Sequence, residues 1–259
     1  MKPLLVSSAI VFSIAFVGTA EATILLSGDT SIINPTVGNN GQVVNSGNIT
    51  FFTNILGNGG SVLVQQTSPI HPALFGNALT NFYDTIPGVS SVFTNTSLNS
   101  GALSGIDLFI SMFPDEPFQT GELSQISDFL DGGGTVLFMG DHVNFRRSQN
   151  VNINSALASL GSTMRIQNTL FDAGFHTASG SQITNAPFTS GISSFRYAAP
   201  SELAVGNGTT LFFGNEGQPF VACEGDCGEV ETTPEPSTLL GLGTLALASG
   251  TLLRRKHKA

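Results

Sequence analysis

Five carboxylate or imidazole side chains, which we call the rim residues, each follow a short apolar run of the sequence: Asp29, Asp115, Glu116, Asp141 and His142. If the runs are strands of an open α/β sheet, these side chains lie beyond the carboxyl ends of the strands, where ligands gather. Such a set could bind a divalent cation. Asp141 and His142 could instead act as a base and its orienting partner. Aspartates in such loops also shape turns and cap helices, so a purely structural role is the third interpretation.

The strands that must position the rim residues alternate with helical patterns along the chain. Apolar runs predict strands at 23–26, 61–64, 91–93, 106–111 and 135–139. After the last of these strands, a helix is expected at 154–160, closed by Gly161. Beyond residue 170 the pattern changes to short β-like pieces separated by polar turns.

The clearest unit is a strand, a helix and a strand over residues 106–139. In its helix, predicted at 119–130, Ile126 and Leu130 share one face, and Thr120 is a suitable N-terminal cap. A βαβ unit implies parallel strands joined by a right-handed crossover. We therefore predict an α/β fold with an open, mostly parallel sheet and a more β-rich C-terminal part.

Residues 107–142 read DLFISMFPDEPFQTGELSQISDFLDGGGTVLFMGDH. This segment is similar to the class I glutamine amidotransferase-like domains, which have a flavodoxin-like sheet. The family's enzymes carry a Cys on a sharp turn after a strand, followed later by a His-Glu pair. No Cys occurs within residues 23–222. The resemblance therefore implies the fold with a binding or structural role, and it does not imply amidotransferase catalysis.

The first 22 residues have the three parts of a secretory signal peptide. Lys2 supplies the positive charge, residues 4–17 form an apolar stretch, and residues 18–22 offer small side chains for cleavage. The apolar stretch is shorter than the roughly 20 residues that cross a bilayer as a helix. The sequence therefore predicts export and removal of the leader.

The C-terminal end also has three parts. Pro234, Glu235 and Pro236 come first, residues 238–253 form an apolar run, and the basic tail begins with Arg254, Arg255 and Lys256. As a helix, the run would rise about 24 Å, enough for a short transmembrane span. The basic tail would keep the C-terminus in the cytoplasm. An ordinary C-terminal anchor behind a proline-rich linker has the same composition.

This order and spacing closely resemble the PEP-CTERM sorting signal of Gram-negative bacteria. In that family an exosortase recognises the Pro-Glu-Pro motif, here residues 234–236, and removes the tail. The resemblance implies a transient inner-membrane anchor, then a place at the cell surface or in the extracellular matrix. Its implied partners are the exosortase, the export machinery and extracellular polysaccharide.

The only two cysteines, Cys223 and Cys227, stand at the start of an acidic segment, residues 223–233, that we expect to be a linker. In an exported protein this pair favours a small disulfide loop. Free thiols and a pair of metal ligands are the alternatives. Structural zinc takes four ligands, and the neighbouring sequence offers no second pair.

Charge limits the classes of partner. Residues 23–233 contain four Arg, no Lys and 16 Asp or Glu, which gives a formal charge of −12. Such a surface repels phosphate backbones, so we expect no nucleic-acid partner. Apart from the divalent cation considered for the rim residues, no cofactor is expected.

These observations favour one function class and leave a second open. The first is an exported, exosortase-processed surface or matrix protein whose α/β domain, residues 23–222, binds or scaffolds extracellular material without catalysis. The second is a secreted hydrolase or carbohydrate-active enzyme that uses Asp141 and His142. The two differ in whether the rim residues converge in one cleft.

Overall fold

The computed structural model describes residues 22–33, 43, 45–68 and 74–227, all of which belong to one unit that ends at Cys227. Almost all of the predicted leader, the predicted sorting motif, the apolar run at 238–253 and the basic tail lie outside these residues. Within the described part of the chain, no helix combines the length and apolarity that a membrane crossing requires.

Eleven strands and four α-helices make up the described part. The helices are α1 (Ser46–Leu56), α2 (Leu74–Tyr83), α3 (Thr120–Asp131) and α4 (Val143–Ser159). The strands are β1 (Thr23–Ser27), β2 (Ser61–Gln66), β3 (Ser90–Thr94), β4 (Leu108–Met112), β5 (Thr135–Met139), β6 (Arg165–Leu170), β7 (Phe175–Ser179), β8 (Ser194–Ala198), β9 (Ser201–Ala204), β10 (Thr209–Phe213) and β11 (Pro219–Gly225).

Seven strands form the central sheet in the order β10-β11-β1-β5-β4-β2-β3. The five strands from β1 to β3 in that order run parallel, and β11 is antiparallel to both of its neighbours. Two small antiparallel pairs, β6 with β9 and β7 with β8, follow in the C-terminal half. The predicted fold class, a mostly parallel α/β sheet with a more β-rich C-terminal part, is confirmed.

Both faces of β1, β2, β4 and β5 are covered, which explains their nearly continuous apolar sequence, whereas the edge strand β3 has no fully buried residue. Successive side chains of a strand point to opposite faces. Leu25 of β1 accordingly packs in the same core as α1 and α2, whereas Leu26 packs in the second core with α3 and α4. The sheet therefore lies between two helical layers, α1 with α2 and α3 with α4.

Helix α3, Thr120–Asp131, begins and ends one residue later than the predicted range of 119–130. The residue before its first turn is Gln119, not the expected cap Thr120. Glu122 accepts a hydrogen bond from the Gln119 backbone N–H at 2.9 Å, as in a capping box. Ile126 and Leu130 are buried against the sheet, as their spacing predicts.

Helix α4 is much longer than the predicted 154–160. Its first half buries polar side chains, including Arg146, Gln149 and Asn152, so no apolar period marks it. Burial of these groups requires partners, and the loop that follows β4 supplies several of them. At the other end of the domain, β11 continues to Gly225, three residues beyond the boundary expected at 222.

At two places, neighbouring parallel strands are followed by helices on opposite faces of the sheet. Each such place forms a crevice at the carboxyl edge. After the adjacent strands β1 and β5, the chain continues to α1 on one face and to α4 on the other. After β2 and β4, it continues likewise to α2 and α3. Ligands of open α/β sheets bind in such crevices. We call them the β1/β5 crevice and the β2/β4 crevice.

Candidate functional site

The rim residues all lie at the carboxyl edge, but they divide between the two crevices. Asp29 follows β1, and Asp141 with His142 follows β5. Asp115 and Glu116 follow β4 and line the β2/β4 crevice. The structure therefore brings Asp29 and Asp141 together and does not gather all five in one cleft.

Asp29 is fully buried in the β1/β5 crevice. Its two carboxyl oxygens accept hydrogen bonds from the backbone N–H groups of Ser31 and Ala198, each at 2.7 Å. These partners come from the turn after β1 and from the end of β8. The carboxyl group thus ties the first strand to the C-terminal β-rich part.

Asp141 is held in a similar way. One of its carboxyl oxygens accepts from the Thr30 hydroxyl at 2.8 Å, and the other accepts from the His142 backbone N–H at 2.7 Å. The Asn150 side chain bonds both the backbone N–H and the carbonyl of Asp141, at 3.1 and 2.7 Å. These contacts fix the turn between β5 and α4.

The two carboxyl groups influence each other's titration. Burial raises the pKa of Asp29 to about 8, and the nearby charge of Asp141 raises it in the same direction. Burial also raises the pKa of Asp141, against the hydrogen bonds from His142 and Thr30 and the positive charge of Arg146. The pair therefore keeps a proton near neutral pH, because a fully buried carboxylate and a half-buried one beside it cannot both ionise without a large cost.

Protein atoms fill the β1/β5 crevice. A side chain at Gly28 would collide with the backbone carbonyl of Ser201, and one at Gly140 would collide with Ile166 and Asn150. The Ser201 hydroxyl also donates to the Asp141 carbonyl at 2.9 Å. The start of β9 thus occupies the space that a ligand would take.

His142 is the N-cap of α4. Its Nδ1 accepts a hydrogen bond from the Asn144 backbone N–H at 3.2 Å, and its ring packs on Phe145 with centroids 4.6 Å apart. The same nitrogen cannot donate to Asp141. In this geometry Asp141 does not orient the imidazole as a base would require.

Arg146 lies one turn further along α4 and is only 3% exposed. A local break in the helix, with φ −129° and ψ 26°, accompanies its burial. Its guanidinium carbon stands 4.8 Å from the centroid of the Phe113 ring, a cation–π arrangement. Its charge also favours the ionised form of Asp141. Arg146 therefore belongs to the packing around the filled crevice.

The β2/β4 crevice is open and contains a cavity of about 720 Å³. Its walls come from the carboxyl ends of β2, β3 and β4 and from the start of α3. They consist of residues 65–68, 95–97, 114–119 and Glu122. Most of these side chains are amides, hydroxyls or carboxylates, and Phe118 contributes a half-buried ring.

Several wall side chains already have protein partners. Gln65 accepts from the Ser111 hydroxyl at 2.9 Å and donates to the Thr96 carbonyl at 3.1 Å. Glu122 accepts from the backbone N–H groups of Leu98 and Gln119. These bonds make the walls rigid, so the cavity is a preformed one.

Asp115 is positioned by three side chains, two from α4 and one from the segment that follows β2. Its Oδ1 accepts from the Gln149 amide of α4 at 2.7 Å, and its backbone N–H donates to the Thr67 hydroxyl at 3.1 Å. The Asn152 amide donates to its backbone carbonyl at 3.1 Å. Its Oδ2 has no donor within the described residues, so this oxygen is free for a ligand.

Among the described residues, no group of three or more His, Cys, Asp or Glu side chains has the arrangement of a metal site. The separation of the rim residues into two crevices is the physical reason. The structure joins Cys223 to Cys227 by a disulfide, with Cys223 buried in β11 and therefore part of the folded domain.

No motif in the sequence points to Thr67, Gln65 or Gln149 as site residues. Thr67 and Gln65 stand at the end of β2, where amides and a hydroxyl interrupt an apolar run. Gln149 and Asn152 are spaced by three residues on α4, which places two amides on one face. Polar residues at those positions of a buried strand and helix were the available signal.

The comparisons with known proteins add little to this geometry. No protein-family model matches the chain, and no curated protein matches it. Among solved structures, the chain is similar to the mmIFT52 N-terminal domain, with 15% sequence identity and a TM-score of 0.47. The similarity covers 71% of this chain and 99% of that domain.

Proposed function

We propose that this is an exported, exosortase-processed protein of the cell surface or extracellular matrix, whose α/β domain binds extracellular polysaccharide without catalysis. The observation that carries the proposal is the open, polar β2/β4 crevice at a place where α/β sheets bind ligands. The competing crevice, which holds Asp141 and His142, is filled by the protein's own atoms.

The cavity has the size and chemistry that suit a saccharide. Its volume, about 720 Å³, falls within the usual range for small-molecule sites. Sugar hydroxyls both donate and accept, so amides, hydroxyls and carboxylates such as Asn95, Ser97 and Asp115 suit them. The half-buried ring of Phe118 adds an apolar surface for the C–H faces of a sugar. A chain of sugar units can extend past the cavity mouth into solvent.

Export and sorting rest on the two ends of the sequence, which lie outside the described residues. The predicted leader supports secretion, and residues 234–259 support recognition by an exosortase. The disulfide between Cys223 and Cys227 supports an oxidising compartment. Together they support an exported location for the binding domain, where it would meet polysaccharide.

The hydrogen bonds of Asp141 and His142 favour binding over hydrolysis. Glycoside hydrolysis generally needs two carboxyl groups on opposite sides of the scissile bond, separated by roughly 5–10 Å with the substrate between them. Asp141 pairs with Asp29 where protein fills the space, and His142 caps a helix. Neither side chain lines the open cavity of the β2/β4 crevice.

Intact-mass measurement tests the sorting part of the proposal. We expect the exported protein to lose both its leader and its C-terminal tail in the parent strain. In a strain without exosortase, the mass should retain residues 234–259. Identical masses in the two strains would contradict exosortase processing.

Co-sedimentation with extracellular polysaccharide tests the binding part. Asn95→Trp should fill the cavity mouth and reduce the bound fraction about tenfold, whereas Asn58→Trp should not reduce it. Both asparagines are exposed, but Asn58 lies in the turn before β2, at the opposite edge of the sheet. Equal binding by the two variants, or release of new reducing ends by the wild-type protein, would contradict non-catalytic binding in this crevice.

A further inference from the structure

We propose that the β2/β4 crevice recognises a saccharide that carries a free amino group, protonated at neutral pH, in preference to a neutral or acidic sugar. This inference rests on the proposed function and specifies its ligand class. It follows from the balance of charge and hydrogen-bonding capacity in the cavity walls.

The walls of the cavity carry a negative charge. Three carboxylates, Asp115, Glu116 and Glu122, line the cavity, and none of its described lining residues is Lys, Arg or His. A ligand that enters brings its own charge into a partly enclosed space, where electrostatic interactions are stronger than in bulk water. An acidic sugar would therefore be repelled.

Glu122 does not contribute to the preference for an amino sugar, because backbone N–H groups of the protein already compensate its charge. Its two oxygens accept from the Leu98 N–H at 2.8 Å and from the Gln119 N–H at 2.9 Å. It also stands in the first turn of α3, where the helix dipole favours negative charge. Its role is to cap the helix and hold the wall.

Asp115 and Glu116 remain available. Only one oxygen of Asp115 has a donor, the Gln149 amide, and the backbone of Asp115 is held by Thr67 and Asn152. Glu116 is exposed and has no donor within the described residues. The walls therefore present one well-positioned and one adaptable carboxylate to a ligand.

Hydrogen-bonding capacity points in the same direction. The wall amides and hydroxyls, such as Asn95 and Ser97, both donate and accept and so do not distinguish one sugar from another, whereas the free carboxylate oxygens of Asp115 and Glu116 only accept. An ammonium group has three donors, no acceptor and a positive charge. Hydrogen bonds between charged partners are about twice as strong as neutral ones. A sugar hydroxyl offers one donor without the charge.

The protein's overall charge strengthens the preference. The formal charge of −12 over residues 23–233 attracts cations and raises their local concentration in acidic clefts. Because this attraction is screened by salt, binding of an amino sugar should weaken as ionic strength rises. Binding of a neutral sugar should not.

The test compares three oligosaccharides of equal length with the purified exported protein, by calorimetry at low and physiological salt. They are a glucosamine oligomer, its N-acetylated form and an oligomer of galacturonic acid. We expect the glucosamine oligomer to bind about tenfold more tightly than the N-acetylated one, with an affinity that falls with salt. The acidic oligomer should bind most weakly.

Matched variants locate the effect. Asp115→Asn should remove most of the preference for the glucosamine oligomer, because the affinity for that oligomer should fall much further than the affinity for the N-acetylated one. Asp131→Asn, which removes an exposed charge at the far end of α3, should leave both affinities as in the wild type. Glu116→Gln, at an exposed position that should tolerate the change, gives a second variant if Asp115→Asn fails to fold.

The outcomes separate this inference from the proposed function. Equal affinities for the glucosamine and N-acetylated oligomers would overturn the inference and leave saccharide binding in place. A preference lost equally in Asp131→Asn would also overturn it, because the charge would then act from the surface as a whole. If no oligomer binds, the inference is wrong, and co-sedimentation with the extracellular polysaccharide decides the proposed function separately.

Discussion

The β1/β5 and β2/β4 crevices occupy equivalent places in the sheet, but the first is filled with protein atoms and the second is open. Both lie at the carboxyl edge, between neighbouring parallel strands whose helices leave on opposite faces. In the β1/β5 crevice, the start of β9 fills the space. The Ser201 N–H there donates a hydrogen bond to the Gly28 carbonyl at 2.9 Å. In the second, the walls enclose a cavity of about 720 Å³.

The comparison separates two roles that acidic residues take at a sheet edge. Asp29 is fully buried and Asp141 is half-buried, and all four of their carboxyl oxygens bind the protein's own donors, so they link parts of the fold. Asp115 is also half-buried, but it keeps one oxygen without a donor in the described chain. Topology alone creates both crevices, and the added C-terminal strands decide which of them stays open.

The largest effect on stability is expected from a substitution that forces the filled β1/β5 crevice apart. Gly28→Ala places a methyl group against the Ser201 carbonyl, where backbone and not a flexible side chain must move. We expect a loss of about 3 kcal/mol in the free energy of unfolding, measured with urea. Gly121→Ala is the control, because a methyl group there meets nothing within 4 Å. A Gly28→Ala protein as stable as the wild type would show that the crevice is not tightly filled.

A second test uses the proton held by Asp29 and Asp141. The folded pKa of Asp29, about 8, lies above the value near 4 of an unfolded aspartate, so the folded state binds more protons between those values. Stability should therefore fall as pH rises through this window, by up to about 1.4 kcal/mol per pH unit. Between about pH 6 and about pH 8 we expect a loss of about 2 kcal/mol.

Two variants sharpen this measurement. Asp29→Asn removes the titrating group and should flatten the dependence of unfolding free energy on pH, even if the lost hydrogen bond lowers stability at every pH. Gly121→Ala should keep the wild-type slope. Stability that stays constant or rises over this range in the wild type would contradict a shared proton in the filled crevice.

The sequence was most informative where apolar spacing is regular. The strand, helix and strand over 106–139 were predicted because α3 buries Ile126 and Leu130 at helical spacing and both strands are covered on two faces. The first half of α4 was missed because its buried residues, such as Arg146 and Gln149, are polar and show no apolar period.

The candidate site depended on information that the sequence does not carry locally. The five rim residues do follow strands, as predicted, but strand order decides which of them meet. Because β5 pairs with β1 on one side and β4 on the other, Asp141 lies beside Asp29, while Asp115 lines a different crevice. The filling of the first crevice depends on β9, some 170 residues beyond β1 in the chain.

A smaller effect is expected in the open crevice. Gln149→Leu removes the amide that holds Asp115 and should cost about 1 kcal/mol of stability, because water can replace the lost donor. Saccharide affinity should fall about fivefold, since Asp115 is then free to turn away. Gln125→Leu is the matched control: it loses a bond to the Gly101 N–H but does not touch Asp115.

Calorimetry with the glucosamine oligomer and urea unfolding together separate these roles. Gln125→Leu should lose similar stability and keep the wild-type affinity. Loss of affinity in both variants would mean that Gln149 acts through general stability and not through the position of Asp115.

The smallest effect concerns His142, which the competing hydrolase hypothesis would make essential. As an N-cap, its ring accepts the Asn144 N–H, so His142→Ala should lower the free energy of unfolding by about 1 kcal/mol or less. His142→Asn should retain most of that stability, because Asn is also a good N-cap. Neither variant should change the affinity for saccharide, since His142 belongs to the filled crevice and Asp115 to the open one. If the wild type releases sugar and both variants lose that activity at full stability, the imidazole performs chemistry there, and the contrast between a structural and a binding crevice fails.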